Sequence, residues 1–214
     1  MIDFRALQKK GWLEIKGLRS PDDLAEIANQ LGQIRPHPNG EYIFNLRPSN
    51  GSNSTRGTFS NVYGYAEFPL HTDLAFWLLP ARYVVLGMIN KSDSYTNVIL
   101  TTDVFSELGK DVTNYARDSI YIIDTIEGKK YSSLFFRSQS LTGFKFDSNC
   151  MKPVNGHAKL FHNKITACLN DIETTSIHWT GNKAVVIDNW NTLHGRGRVN
   201  ASDKNRNLMR VYTG

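Results

Sequence analysis

The stretch FPLHTDLAFWLLPARYVVL, residues 68–86, decides how this chain folds. Near its start stand His71 and Asp73, two positions apart, and its end is a β-branched, apolar run. On a strand, residues i and i+2 share a face. His71 and Asp73 can therefore converge on one point while Thr72 turns away. Two imidazoles and one carboxylate hold a divalent metal on one side and leave coordination positions open, which suits non-haem Fe(II). A second histidine must come from elsewhere, and His194 stands just past the strand-like AVVIDNW of residues 184–190. A remote ligand at the end of another strand is the geometry of a jelly-roll.

Working outward, residues 11–16 alternate in character as a strand does. Ser20-Pro21-Asp22-Asp23 then announces a helix, with a serine cap, proline at the first position and acids in the first turn. Leu24, Ile27, Ala28 and Leu31 give that helix its apolar stripe. Strands are expected at residues 83–89, 97–102, 119–124, 133–136, 143–147, 184–188 and 208–212. Asp103 is expected to cap a short helix through Leu108, and a second helix to run over residues 157–172. Residues 48–61, PSNGSNSTRGTFSN, form a polar loop directly before the HxD motif, expected to act as a lid. Many short strands with few helices point to a mainly β fold with flanking helices, a double-stranded β-helix (jelly-roll, cupin-like) barrel.

At 214 residues the chain is expected to be one domain, residues 1–214. No apolar run reaches the ~20 residues of a membrane span, and residues 1–17 lack the apolar core of a secretory signal. Cys150 and Cys168 fit free thiols in a reducing compartment, so a cytoplasmic protein is expected. The net charge is +5, but the basic residues are scattered, which argues against a nucleic-acid partner. A small-molecule substrate is expected, and the oligomeric state is not legible. His37, in a proline-flanked loop, His157, His162 and His178 read as surface or structural residues, and of the four only His37 is singled out as a pocket candidate.

The 68–86 segment, together with VVIDNWNTLHGRGRV at 185–199, GFKFDSNCMKP at 143–153 and RNLMRVY at 206–212, resembles the TauD/TfdA-like, clavaminate-synthase-like family of Fe(II)- and 2-oxoglutarate-dependent dioxygenases. The resemblance spans about residues 11–212. It implies His71, Asp73 and His194 as iron ligands, with 2-oxoglutarate and O₂ as co-substrates. It implies Arg206 as partner of the distal carboxylate of 2-oxoglutarate, gripped through two parallel hydrogen bonds. Arg210, four residues on, would reach the metal-proximal end of the co-substrate, or the substrate. The family's Gly-Gly-x-Thr motif is missing. Thr96 is the best match to its threonine, and Thr101 the next.

An acid at position 73 closes the chloride site of related halogenases, so hydroxylation or desaturation is implied. Asn61, Tyr63, Tyr65 and Phe68 are candidates to line the substrate pocket, with Arg56 available for an anionic group. The preferred substrate is a small polar metabolite, an amino acid or amino-acid-derived unit. Three other readings use the same residues: a non-catalytic metal-binding barrel, a nucleic-acid-directed oxygenase, and a Zn(II) hydrolase.

Overall fold

The computed structural model describes residues 1–214 except 52, 53, 55–57, 126 and 127. Its elements begin with α1 (Phe4–Lys10), β1 (Trp12–Lys16), α2 (Pro21–Asn29), β2 (Ile34–Arg35), β3 (Phe44–Leu46), α3 (Phe59–Tyr63), β4 (Phe68–His71) and β5 (Tyr83–Met88). They continue with β6 (Lys91–Leu100), α4 (Thr101–Arg117), β7 (Tyr121–Thr125), β8 (Gly128–Ser132), β9 (Phe135–Ser138), β10 (Leu141–Phe144) and β11 (Met151–Pro153). Last come α5 (Gly156–Asp171), β12 (Thr175–Thr180), β13 (Lys183–Asp188), β14 (Thr192–Arg196) and β15 (Leu208–Thr213).

Two antiparallel sheets carry the fold. The larger runs β1-β13-β5-β15-β2, with β3 also on β15, and the smaller runs β12-β6-β14-β4. From β12 onward successive strands alternate between them, as β4, β5 and β6 do, which is jelly-roll connectivity. Among the described residues the two sheets are hydrogen-bonded separately, so the barrel is realised as two facing sheets.

The period-2 alternation of the strands sorts their side chains into layers. Val84, Leu86 and Met88 of β5, Val185 and Ile187 of β13, and Leu208 and Tyr212 of β15 pack inward against Val98, Ile177 and Trp179 of the smaller sheet. The intervening Tyr83, Val85, Ala184, Val186, Met209 and Val211 face outward and meet Leu7, Leu24, Ala28 and Leu31 of the N-terminal helical segment. On the other side Leu70, Ile99 and Leu193 of the smaller sheet meet Val104 of α4 and Ala158, Phe161 and Ile165 of α5. Arg210 shares the inward parity of Leu208 and Tyr212.

Several elements depart from the sequence-based expectation. Ser20 does cap α2 through a reciprocal capping box with Asp23. Asp103 is not a cap: the helix begins at Thr101 and runs to Arg117, broken at Gly109, whose φ of 78° leaves the helical region. Strand β6 starts at Lys91 rather than at residue 97, and α1, β8 and β12 are additional. Helix α1 is short but well bounded. Asp3 accepts from Ala6 N, and Gly11, with φ 84°, ends the helix in the left-handed region.

Gly11 also ties the chain start to the strand bearing His194. Its carbonyl accepts from the backbone N–H of Asp188 at 2.8 Å and from the Thr192 hydroxyl at 3.2 Å. A Cβ there would lie 2.5 Å from Thr192 Oγ1 and 2.7 Å from Leu100 Cδ2. Gly11→Ala is therefore expected to destabilise the protein by about 2 kcal/mol or more, read as a lower denaturant midpoint.

Candidate active site

His71 ends β4 and His194 lies at the centre of β14, where the two are direct cross-strand partners. His194 is thus within its strand, not at its end as the sequence suggested. A register irregularity follows between His194 and Arg196, a device that re-aims side chains beside functional sites. The imidazole centroids are 4.8 Å apart. The Asp73 carboxylate approaches His71 Nε2 at 3.4 Å and His194 Nε2 at 3.6 Å. One donor atom from each of the three residues lies within 4.8 Å of the others, and each residue is only 6% exposed.

Backbone contacts hold this geometry. Thr72, facing away from the site, accepts from Phe146 N through its hydroxyl and donates its own N–H to Phe146 O. On the opposite side the fully buried Asn189 accepts from Asp73 N at 2.9 Å and donates to Asp73 O and Ala81 O. Leu74 then reverses the chain at φ 57°, a left-handed conformation costly for a branched side chain but held here by its burial. His71 Nδ1 donates to Pro69 O at 2.9 Å, which leaves the Nε2 lone pair facing the site.

The charges are arranged asymmetrically. Burial opposes ionisation of Asp73, yet Arg210 and the two histidines hold its carboxyl well below the usual range. Arg210 Nη1 lies 3.0 and 3.2 Å from the two carboxylate oxygens, and Nη2 lies 3.0 Å from His37 Nε2. Arg206 is also buried, but its Nε and Nη1 have no partner among the described residues. Burial lowers its pKa to about 10, and Asp203 partly offsets that. A buried guanidinium with unpaired donors is unfavourable until an anion meets it. The donor set and this second cation therefore fit a divalent metal accompanied by a carboxylate-bearing ligand.

The other expected residues fall as follows. Thr96, on β6 opposite Arg196 of β14, accepts from Trp179 Nε1 at 3.1 Å. Phe68 lies under the Arg196 guanidinium at 3.5 Å. Tyr65 packs against Lys204, and the Asn61 amide donates to Gly51 O. Arg56 and part of the expected lid lie outside the described residues. His162 is half-buried against Tyr121 and Phe146, not surface-facing.

Sequence reasoning missed Phe59, whose ring lies 4.2 Å from that of His71 and carries the end of the 48–61 loop onto a candidate ligand. It missed Asp147 as well. Burial raises the pKa of this carboxyl, which acts electrostatically on both His71 and Tyr63. The GFKFD segment was a signal for it. Lys145 of the same segment donates from the interior to Trp77 O and Leu78 O, fastening the loop after Asp73.

A Cβ on Gly195 would meet Phe68 O at 2.6 Å and Pro69 O at 3.3 Å, both backbone atoms of the neighbouring ligand strand. Gly195→Ala is expected to push β4 from β14 and weaken divalent-metal binding by about 10-fold, measured by calorimetric titration. Burial, reinforced by Lys130, lowers the Lys145 pKa to about 8 from 10.5. The unfolded chain thus keeps this proton to higher pH, so its contribution to stability rises between about 8 and 10.5. Denaturant midpoints of Lys145→Met should lack that rise.

No family model matches the chain, and no curated protein sequence does. Solved structures do. Asparagine oxygenase in complex with Fe(II), 2S,3S-3-hydroxyasparagine and succinate superposes with a TM-score of 0.81 at 15% identity, over 98% of this chain and 76% of that one. The non-haem iron oxygenase OrfP in complex with Fe, succinate and (3S)-hydroxy-L-Arg gives 0.71 at 17% identity, over 99% and 77%. PvcB of Pseudomonas aeruginosa, an Fe, alpha-ketoglutarate dependent oxygenase, gives 0.68 at 14%, over 96% and 76%. The double-stranded β-helix expected from the sequence is therefore the fold of this chain, shared with these non-haem iron oxygenases.

Proposed function

We propose that this protein is a non-haem Fe(II)- and 2-oxoglutarate-dependent oxygenase that hydroxylates an amino acid or an amino-acid-derived unit. One observation carries the reading: a buried His71–Asp73–His194 donor set occurs together with a buried Arg206 whose Nε and Nη1 lack a partner among the described residues. A hydrolytic Zn(II) site on the same ligands would leave that second cation unexplained. No helix among the described residues is long and apolar enough to cross a membrane.

His71, Asp73 and His194 would hold the metal, with the Pro69 carbonyl fixing the tautomer of His71. Bound there, Fe(II) with 2-oxoglutarate and O₂ supplies oxidation of a C–H bond, 2-oxoglutarate leaving as succinate and CO₂. Arg206 would grip the distal carboxylate of 2-oxoglutarate with its planar fork. Thr96 accepts from Trp179 Nε1 and so has its own hydroxyl hydrogen to offer the same carboxylate. Phe59 packs on the His71 ring and would shield that ligand from water.

For the substrate, Arg210 and Asp147 offer a partly buried cation and a buried carboxylate near the proposed metal ligands. That pair suits a molecule carrying both an acid and an amine or amide. The hydroxylated amino acids in the asparagine oxygenase and OrfP complexes support the same class.

Arg206→Met should raise the 2-oxoglutarate requirement about 10- to 100-fold, the scale of a lost charged hydrogen-bond pair, with Fe(II) affinity unchanged. Succinate formation, measured while proteinogenic amino acids are supplied one at a time, should rise with one of them. An unaltered 2-oxoglutarate requirement would remove Arg206 from this role and pass it to Arg210.

A further inference from the structure

His37 lies in the turn between β2 and β3, and both strands border the edge of β15 that carries Arg210. Phe44 is the direct cross-strand partner of Arg210. The His37 ring lies flat on Phe44, with centroids 4.0 Å apart and planes within 3°. Its Nε2 is 3.0 Å from Arg210 Nη2, and its Nδ1 is 3.0 Å from Asn39 Oδ1. A guanidinium can only donate. His37 Nε2 must therefore accept, and the single proton of a neutral ring sits on Nδ1, donated to Asn39. Burial and the charge of Arg210 both press His37 below the ordinary histidine range, in keeping with that tautomer.

On its other side Arg210 offers Asp73 a single nitrogen, Nη1, shared between both carboxylate oxygens. Arginine–carboxylate pairs commonly close instead as a fork, with two N–H donors each taking one oxygen. Here the second prong is diverted to His37. We infer that His37 is a positioning residue for the metal site: by accepting Arg210 Nη2, it prevents a two-pronged clasp on Asp73 and leaves the carboxylate free to ligate. The inference rests on the proposed metal site and adds to it an internal competitor, the guanidinium, for one of the three ligands.

The physical case turns on what Arg210 does without that acceptor. Nη2 would become a buried donor with no partner, a costly state. Asp73 is the anion it already touches through Nη1, so rotation onto the free side of that carboxylate satisfies it. Both oxygens would then be engaged by a full positive charge, and a metal ion would have to displace it. The flat stack on Phe44 and the Nδ1–H donated to Asn39 explain why an imidazole serves at position 37: together they set the accepting nitrogen in place.

Co(II) titration reads metal binding through d–d absorption bands, without turnover. His37→Phe keeps a flat ring against Phe44 but removes the acceptor. It is expected to weaken Co(II) binding by about 10-fold, on the scale of lost outer-sphere support, and to shift the bands. His37→Gln, whose amide oxygen can accept from Nη2, should recover most of the affinity. In an Arg210→Met background the same His37→Phe change should have no effect on affinity, since the competitor is gone. Equal affinity and identical bands for wild type and His37→Phe would overturn the inference. An equal loss with and without Arg210 would do so too, because it marks a general structural fault. If the wild-type protein takes up no Co(II), the metal site itself fails and the inference falls with it.

Discussion

The buried carboxylate of Asp73 is the constraint around which this molecule is arranged. An ionised carboxylate withdrawn from water is strongly unfavourable unless charges and donors meet it. Asp73 is met by Arg210 from β15, by His71 from β4 and by His194 from β14. Those three strands belong to both sheets, so satisfying one carboxylate requires the sheets to face each other in a defined register. The packed apolar interior around Trp179, Val98 and Val185 occupies the rest of the space between them. One region of the sandwich is therefore polar and electrostatically tense, and the other is an ordinary close-packed core.

A site made from long-range contacts needs its backbone fixed, and the fixing is done mainly by uncharged groups. Asn189 spends its side chain on the main chain of Asp73 and Ala81. Thr72 and Phe146 exchange two hydrogen bonds across the opposite flank. Gly195 allows β4 to approach β14 so closely that a methyl group would strike the Phe68 carbonyl. The left-handed Leu74 stores strain at the same turn, and it persists because its neighbours leave the chain no other course. Preorganisation of this kind would present the three candidate donors to a metal already oriented.

Much of this was legible in the chain, because period 2 is a short-range signal. His71 and Asp73 declare a shared face through their spacing, and AVVID and LMRVY declare inward and outward layers. The serine-proline-acid start of α2 names its own cap. What escaped reading depends on partners far apart in sequence. Asn189 looks like any polar residue after a strand until its acceptors, 116 and 108 positions away, are known. Phe59 carries no local motif, Asp147 lies in the GFKFD segment without declaring which groups it faces, and the role of His37 exists only because β2 and β3 fold back onto β15. Four residues separate Arg206 from Arg210. That spacing could not show that one precedes the strand with its Nε and Nη1 unpaired among the described residues while the other sits inside it, tied to Asp73.

The central claim, that this site takes Fe(II) together with a 2-oxo acid, is tested most directly by an anaerobic titration of the metal-free protein. Fe(II) is added first and 2-oxoglutarate second, and the visible absorption is followed for the weak charge-transfer band of a chelated Fe(II)–2-oxo acid. The account predicts that the band appears only when both are present and is lost in His194→Ala. A folded, metal-loaded protein that gives no band with 2-oxoglutarate would contradict it.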